Sequence, residues 1–286
     1  MGKWTFRPLV PEDLPWLVSC RNAQVNPFTA LSAVSLVTWA DTFGLMVAGD
    51  NDFFVIRSRY DKGYYTPVGN PEKCAAFMEE TAAKEQPARF VYIAEPQARK
   101  MAAAGWNMLY RPDLSEYVLS SAALSLMPGT FITESFRTKC RKFARDFEGY
   151  RITPVAKENL NELEEVSARY RNAQDALPAD QAVLEAEIRY FGELHLSGII
   201  LTVPDGRKAF ILGYPNTPEM FTMTMTRHDP TLPQEITAVC IHQFAMLLRE
   251  RYPLVNVEED MGLEGLRRSK QLLSPVDLLK VYEVMV

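Results

Sequence analysis

The strictest alternation of apolar and polar residues lies at positions 221–226, where Phe, Met and Met alternate with three threonines. A period of two predicts a β-strand with one apolar face and one hydroxyl-bearing face. The apolar face is expected to pack in the core. The threonine face either lines a cleft or contacts water, and water is the simpler interpretation.

Strand and helix patterns alternate along the rest of the chain. A helix is predicted where apolar residues recur at spacings of four, three and four, at Phe136, Cys140, Phe143 and Phe147. Another helix is expected to begin at Glu235. Further strands are predicted at 53–57, 89–94, 106–110, 199–203, 209–212, 253–257 and 278–286. This alternation indicates an α/β protein.

Length and composition narrow the class of protein. The 286 residues are enough for one large domain or two ordinary ones, and 47% hydrophobic with 23% charged residues is typical of a soluble globular chain. A net charge of -5 argues against a general nucleic-acid coat but allows a local basic patch. The longest nearly apolar run, residues 28–40, is shorter than the roughly 20 residues of a transmembrane helix. No signal peptide is recognised, so a cytoplasmic location is expected.

Several chemistries lack their sequence signatures. The four cysteines are far apart, which predicts neither a disulfide framework nor a zinc site. No paired-histidine metal motif, nucleophile elbow, phosphate-binding loop or dinucleotide fingerprint occurs. The sequence therefore predicts no bound metal and no resident cofactor.

The most unusual stretch lies at residues 253–270. An apolar strand ends in three consecutive carboxylates, Glu258, Glu259 and Asp260, and a turn at Gly262 leads into a short basic helix. Adjacent carboxylates repel one another, so folding alone does not favour them. The carboxyl end of a strand before a helix is a common place for chemistry in α/β proteins.

This stretch, N-x-E-E-D-x-G-x-x-G-L-R-x-x-K from Asn256 to Lys270, resembles the phosphatidylglycerol lysyltransferase C-terminal domain family. The resemblance implies an α/β (α+β) fold of two tandem GNAT-like acyltransferase domains, each a mixed central sheet flanked by helices. We expect these domains at residues 1–125 and 126–286. It also implies transfer of an aminoacyl group from aminoacyl-tRNA to a lipid headgroup or small-molecule acceptor.

The alternation of a strand assigns roles to the three carboxylates. It directs Glu258 and Asp260 to one face, with Asn256 below them, and Glu259 to the other. We expect Glu258 and Asp260 to be catalytic, one of them with a raised pKa that lets it act as a base. The alternative is that one carboxylate caps the following helix and another pairs with a basic residue such as Arg267.

Other residues are expected to bind substrate. They are Asn256, Glu259, Gly262, Gly265, Arg267 and Lys270 of the motif, with the basic residues Arg137, Lys139, Arg141 and Lys142. The basic residues match the family's basic helix in character, although Phe143 stands where that pattern has a polar residue. They form either a solvated face or a patch for phosphates, which would belong to a tRNA acceptor end or to a phosphorylated substrate. Gly262 and Gly265 are expected to allow tight turning or close backbone approach.

His228 follows the threonine strand and is the third catalytic candidate, although a lone histidine in a loop is more often incidental. The segment Arg227–Gln234 after it has no glycine, two prolines and an aspartate. An acyl-CoA pyrophosphate is usually held there by backbone N–H groups, so this loop argues against acyl-CoA as donor. The alternatives are an acyl-CoA-dependent N-acyltransferase and a non-catalytic protein that binds an amino acid or an RNA end.

Overall fold

A computed structural model describes residues 4–22, 27–60, 62–173 and 178–286. The chain divides into two compact units, one of Met1–Glu116 with Leu279–Val286 and one of Tyr117–Leu278. The observed division lies at Glu116 rather than at the expected residue 125. Its physical reason is that Leu119 at the end of strand β7 (Asn107–Ser120), with Ala123 and Leu124 after it, packs in the core of the second unit.

The first unit is a mixed sheet with helices. Its strands are β1 (Arg7–Pro8), β2 (Leu45–Asp50), β3 (Phe53–Ser58), β4 (Tyr64–Tyr65), β5 (Val68–Gly69), β6 (Arg89–Ala94), the first part of β7 and most of β13 (Asp277–Met285). Its helices are α1 (Leu14–Asn22), α2 (Ala33–Thr38), α3 (Ala40–Phe43), α4 (Pro71–Lys84) and α5 (Glu95–Ala103). The strand order is β1-β2-β3-β4-β6-β13, with β5 beside β3. The β4–β6 pair is parallel, and the β6–β13 pair is antiparallel.

The last strand therefore belongs with the first unit, although it was expected in the second domain. Val281 pairs with Ala94 and Tyr282 with Ile93. Val281 and Val284 are fully buried there, so pairing of this strand within a sheet is confirmed.

The second unit is also a mixed sheet with helices. Its strands after β7 are β8 (Arg151–Pro154), β9 (Ser197–Thr202), β10 (Lys208–Thr217), β11 (Met220–His228) and β12 (Leu254–Glu259). Its helices are α6 (Ser121–Leu124), α7 (Glu134–Asp146), α8 (Leu160–Ala173), α9 (Pro178–Arg189), α10 (Glu235–Leu248) and α11 (Glu264–Gln271). The order is β12-β11-β10-β9-β8, and only the β11–β12 pair among these is parallel.

The core of the second unit follows from the predicted periodicities. The α7 stripe of Phe136, Cys140 and Phe143 is buried, as predicted. On β11, Phe221 packs edge-on against Phe244 of α10, with ring centres 5.3 Å apart. The sheet is thus covered on one face by α7 and α10, and this packing fixes the positions of the strand ends that carry polar residues.

Candidate functional site

The site begins where two parallel strands separate. The pairing of β11 with β12 covers three residue pairs, from Met220 with Leu254 to Thr222 with Asn256. The next residues on both strands, Met223 and Thr224 on one and Val257 and Glu258 on the other, line a common cavity. The strands therefore diverge towards their carboxyl ends, as a candidate site in an α/β sheet would require.

The cavity has a volume of about 480 Å³, and all of its described lining residues belong to the second unit. Its apolar wall is formed mainly by Phe136, Ile211, Met223, Ala238, Ile241 and Val257. Its polar lining includes Ser135, Lys139, Tyr170, Thr224, Thr226, His228, Thr237, Glu258 and Lys270. A mostly apolar cavity with a few convergent polar groups is typical of a small-molecule site.

Asn256 breaks the strand geometry just before the carboxylates. Its side chain is fully buried, and its Oδ1 accepts a 2.7 Å hydrogen bond from the backbone N–H of Glu258. Glu258 has a φ of 62°, a left-handed conformation that is uncommon outside glycine. Because the alternation ends here, the expectation that Glu258 and Asp260 share a face is wrong. Glu258 lines the cavity, whereas Asp260 is directed elsewhere.

Asp260 is a fully buried carboxylate held by four hydrogen bonds. Tyr117 Oη donates at 2.7 Å and the backbone N–H of Gly262 at 2.8 Å. The guanidinium of Arg267 donates twice, from Nε at 2.8 Å and from Nη2 at 3.1 Å. Burial raises the pKa of Asp260, but the hydrogen bonds from Arg267, Tyr117 and Gly262 outweigh it and the pKa is lowered.

The expected raised pKa is therefore wrong for Asp260, and the alternative that one carboxylate pairs with Arg267 is confirmed. The two bonds from Arg267 fasten the turn after β12 to α11, the bond from Tyr117 fastens it to β7, and the bond from Gly262 closes the turn itself.

Lys270 and the glycines complete this turn. Lys270 Nζ donates to the carbonyl oxygens of Val257 and Glu259, so its ammonium group holds α11 against the end of β12. Gly262 has a φ of 74°, which justifies glycine there. At Gly265 a Cβ would meet no atom of the described residues within 4 Å, apart from the neighbouring backbone of its own helix. The expected close approach at Gly265 is therefore not present.

His228 ends β11 and lines the cavity. The residue is 8% exposed, and its Nδ1 lies 2.9 Å from the carbonyl oxygen of Asp229. A carbonyl only accepts, so Nδ1 carries the hydrogen and a neutral ring presents a lone pair on Nε2. Within the described ranges Nε2 has no hydrogen-bond partner. The ring also packs edge-on to Tyr170 at 5.8 Å.

The basic residues of α7 have unequal positions. Lys139 is exposed and lines the cavity, and among the described residues it forms no ion pair. Lys142 Nζ contacts Glu235 Oε1 at 2.7 Å, and Arg141 pairs with Glu134. Arg137 donates to the carbonyl oxygen of Thr130 at 3.2 Å. Only Lys139 of this set is brought to the cavity with Glu258 and His228.

Four residues in or beside the site were missed or misread in the sequence. Thr222 is fully buried, and Thr224 and Thr226 line the cavity, so the preferred interpretation that this face contacts water is wrong. The strict alternation was the signal that could have found them. Tyr117 carried no such signal, because it meets Asp260 from 143 positions away.

The loop before α10 offers few free amide donors. Pro230 and Pro233 have no N–H. Thr231 donates its backbone N–H to Asp229 Oδ1 at 3.0 Å, and Leu232 donates to the Asp229 carbonyl at 2.9 Å. Asp229 also pairs with Arg169 at 3.0 Å, which holds its carboxylate within the loop.

None of the helices in the described part of the chain has both the length and the apolar character needed to cross a membrane. Comparison with curated protein sequences finds no match.

Solved structures resemble the whole chain. A conserved protein of unknown function from Bacteroides thetaiotaomicron has a TM-score of 0.86 and 22% identity, covering 99% of both chains. L-PGS from Bacillus licheniformis has a TM-score of 0.67 and 15% identity, covering 97% of this chain and 91% of that one. FemX has a TM-score of 0.62 and 8% identity, covering 98% and 96%. These similarities show the GNAT-like acyltransferase fold that was expected from the sequence.

A family model matches more of the sequence than the motif alone. The match extends over residues 23–285 and is described as phosphatidylglycerol lysyltransferase, C-terminal. The chain therefore belongs to the phosphatidylglycerol lysyltransferase C-terminal family.

Proposed function

We propose that this protein is an aminoacyltransferase that uses aminoacyl-tRNA as donor and acts in the cavity between β11 and β12. The observation that supports this most is the convergence of three groups on one cavity. Glu258 supplies an anion and His228 an imidazole. Lys139 supplies a cation and lies on a helix with further basic residues. These are the groups that such a donor requires.

Each group has a role in the proposed reaction. The hydroxyl or amine of the acceptor attacks the ester carbonyl of the donor and releases the terminal ribose hydroxyl of the tRNA. His228 Nε2 accepts the proton of the attacking group and returns it to the departing ribose oxygen. Glu258 holds the α-ammonium group of the amino acid.

The remaining motif residues would maintain this geometry. Asn256 fixes the backbone of Glu258, while Asp260 and Arg267 fasten the turn through Gly262. Lys270 binds the carbonyl oxygen of Glu259. Errors of about 1 Å in such a frame cost on the order of 10²-fold in rate, which is why a buried ion pair next to the cavity matters.

The cations of α7 would contact the tRNA acceptor end. Lys139 would lie nearest to the aminoacyl end of the tRNA because it lines the cavity. Arg137, Arg141 and Lys142 extend the basic surface along the helix. Phosphate contacts of this kind provide affinity and position the ligand without reading its sequence. The acceptor is a lipid headgroup or a small molecule, and charged tRNA places the reaction in the cytoplasm.

Acyl-CoA is a weaker candidate for the donor. The amides of Thr231 and Leu232 are already used within the loop. A pyrophosphate at a helix N-terminus needs free N–H groups. These observations favour a donor that is held from α7 instead.

Filter binding of charged tRNA tests the proposal. We expect saturable binding that weakens with salt, and Lys139→Ala should lower the affinity and reduce the slope of log K against log salt by about one. Lys84→Ala is the matched control, because Lys84 is exposed on α4 of the first unit. Transfer of a labelled aminoacyl group to extracted lipid or to small amines completes the assay.

Two results would contradict the proposal. Thermal stabilisation by acetyl-CoA without binding of charged tRNA would favour a thioester-dependent N-acyltransferase. Saturable binding of a free amino acid or an uncharged RNA end without any transfer would favour a non-catalytic binding protein.

A further inference from the structure

The charges on the cavity wall are unbalanced. Among the described lining residues Glu258 is the one carboxylate, whereas Lys139 and Lys270 are both cations. Glu258 is thus the one carboxylate of the described lining that can pair with an ammonium group of a ligand, and the two lysines would repel a second ammonium group.

The other acidic residues near the cavity either form ion pairs or do not line it. Asp260 is fully buried and paired with Arg267, and Glu235 is paired with Lys142. Glu187 of α9 lies next to Thr224, but it is 1% exposed and does not line the cavity. Burial raises the pKa of Glu187 to about 7, so it is not a permanent anion at neutral pH.

Much of the cavity lining is apolar. Met223 of β11 and Val257 of β12 face the same cavity as Phe136 of α7 and Ile241 of α10. A charged amine placed against these side chains would lose its hydration without gaining a partner. Such a group is strongly disfavoured, whereas an aliphatic side chain gains from burial there.

We infer that the aminoacyl group accepted by this cavity has an uncharged, apolar side chain, as leucine does, and that lysyl and arginyl groups are excluded. The inference rests on the proposed function and deepens it. The α-ammonium group contacts Glu258, the carbonyl lies towards His228, and the side chain packs against Ile241 and Met223. A lysyl group would add an ammonium that Lys139 and Lys270 repel.

Two non-hydrolysable donor mimics test this inference on the full-length chain. They are 3′-(leucylamino)-3′-deoxyadenosine and its lysyl counterpart, which share the adenosine and the α-ammonium group and differ only in the side chain. Titration calorimetry should show the leucyl compound binding about tenfold or more tighter, a difference of about 1.4 kcal/mol. Equal or tighter binding of the lysyl compound would overturn the inference.

Added carboxylates provide the complementary test. Ile241→Glu, and independently Thr237→Glu, place an anion on the α10 wall and should shift the leucyl-to-lysyl affinity ratio at least about fivefold towards lysyl, by adding a partner for its ammonium. Leu247→Glu is the control, because Leu247 lies on the same helix at 59% exposure and outside the cavity. An unchanged ratio in both cavity variants, with circular dichroism like that of the parent, contradicts the inference.

The failures of the two proposals are distinguishable. If charged tRNA is bound and its aminoacyl group transferred, but lysyl donors are preferred, only the side-chain assignment fails. If neither mimic binds and no aminoacyl group is transferred, the proposed function fails and this inference fails with it.

Discussion

Replacing Arg267 with alanine tests the buried carboxylate next to the cavity. The variant removes two of the four hydrogen bonds to Asp260, those from Nε and Nη2, and leaves those from Tyr117 and Gly262. Asp260 is fully buried, so its charge cannot be hydrated in exchange. We therefore expect the turn after β12 to be destabilised while the fold persists.

The magnitude follows from the exposure of the two partners. Removing one partner of a buried ion pair typically costs about 3–5 kcal/mol. The Arg267 side chain is 41% exposed and two hydrogen bonds to Asp260 remain, so we expect a smaller loss of about 2–3 kcal/mol at pH 7. The control is Arg268→Ala, an exposed neighbour on α11, which should stay within about 0.5 kcal/mol of the parent.

The pH dependence has a defined sign. The pKa of Asp260 is lowered in the folded chain, so its contribution to stability is present above the unfolded pKa and is lost as the pH falls through the folded pKa. Without Arg267, the effect of burial is no longer outweighed by hydrogen bonds, and the pKa of Asp260 rises. The destabilisation by Arg267→Ala should therefore be largest near neutral pH and shrink as the pH falls through the raised pKa of Asp260 in the variant.

Hydrogen exchange by mass spectrometry is the suitable assay. All four tryptophans lie at or before residue 106, so tryptophan fluorescence reports the first unit only. Peptides covering residues 254–271 report opening of the turn itself, after correction of the intrinsic exchange rate for pH. Equal protection in Arg267→Ala and Arg268→Ala, or a loss that does not depend on pH, would refute this reasoning.

Three further outcomes are expected. His228→Gln should lower the aminoacyl transfer rate about 10²–10⁴-fold with donor binding little changed, because it removes the proposed base, while His195→Gln outside the cavity should have no effect. In urea unfolding, the stability of Glu187→Gln relative to the parent should be about 2.5 kcal/mol greater at pH 8 than at pH 5. The pKa of Glu187 is raised to about 7, so the parent loses stability as the pH rises from about 4.5 through 7. Phe143→Ala should cost about 3–5 kcal/mol in the same unfolding assay, because Phe143 is buried and stacks on Phe147.

The elements that periodicity controls could be predicted from the sequence. The stripe of α7 and the alternation of β11 both depend on burial of every third, fourth or second residue, and the structure has both. Phe143, which departs from the polar residue of the family pattern, is explained by the same stripe: it belongs to the core. Local regularity was sufficient because neighbouring residues share one backbone geometry.

The orientation of the carboxylates could not be predicted in the same way. The alternation was extended through Glu258, but the left-handed φ there redirects the chain at Glu259 and Asp260. The partner of Asp260 on β7 lies far away in sequence, and the last strand joins β6 rather than the sheet of its own half. These features depend on long-range packing, which spacing along the chain does not encode.

The central claim is that the cavity between β11 and β12 holds the aminoacyl end of the donor. A crystal structure with 3′-(leucylamino)-3′-deoxyadenosine tests it most directly. The account predicts the α-ammonium group at Glu258, the carbonyl near His228 and the leucyl side chain against Ile241. A mimic bound elsewhere on the protein, with this cavity left empty, would contradict the account.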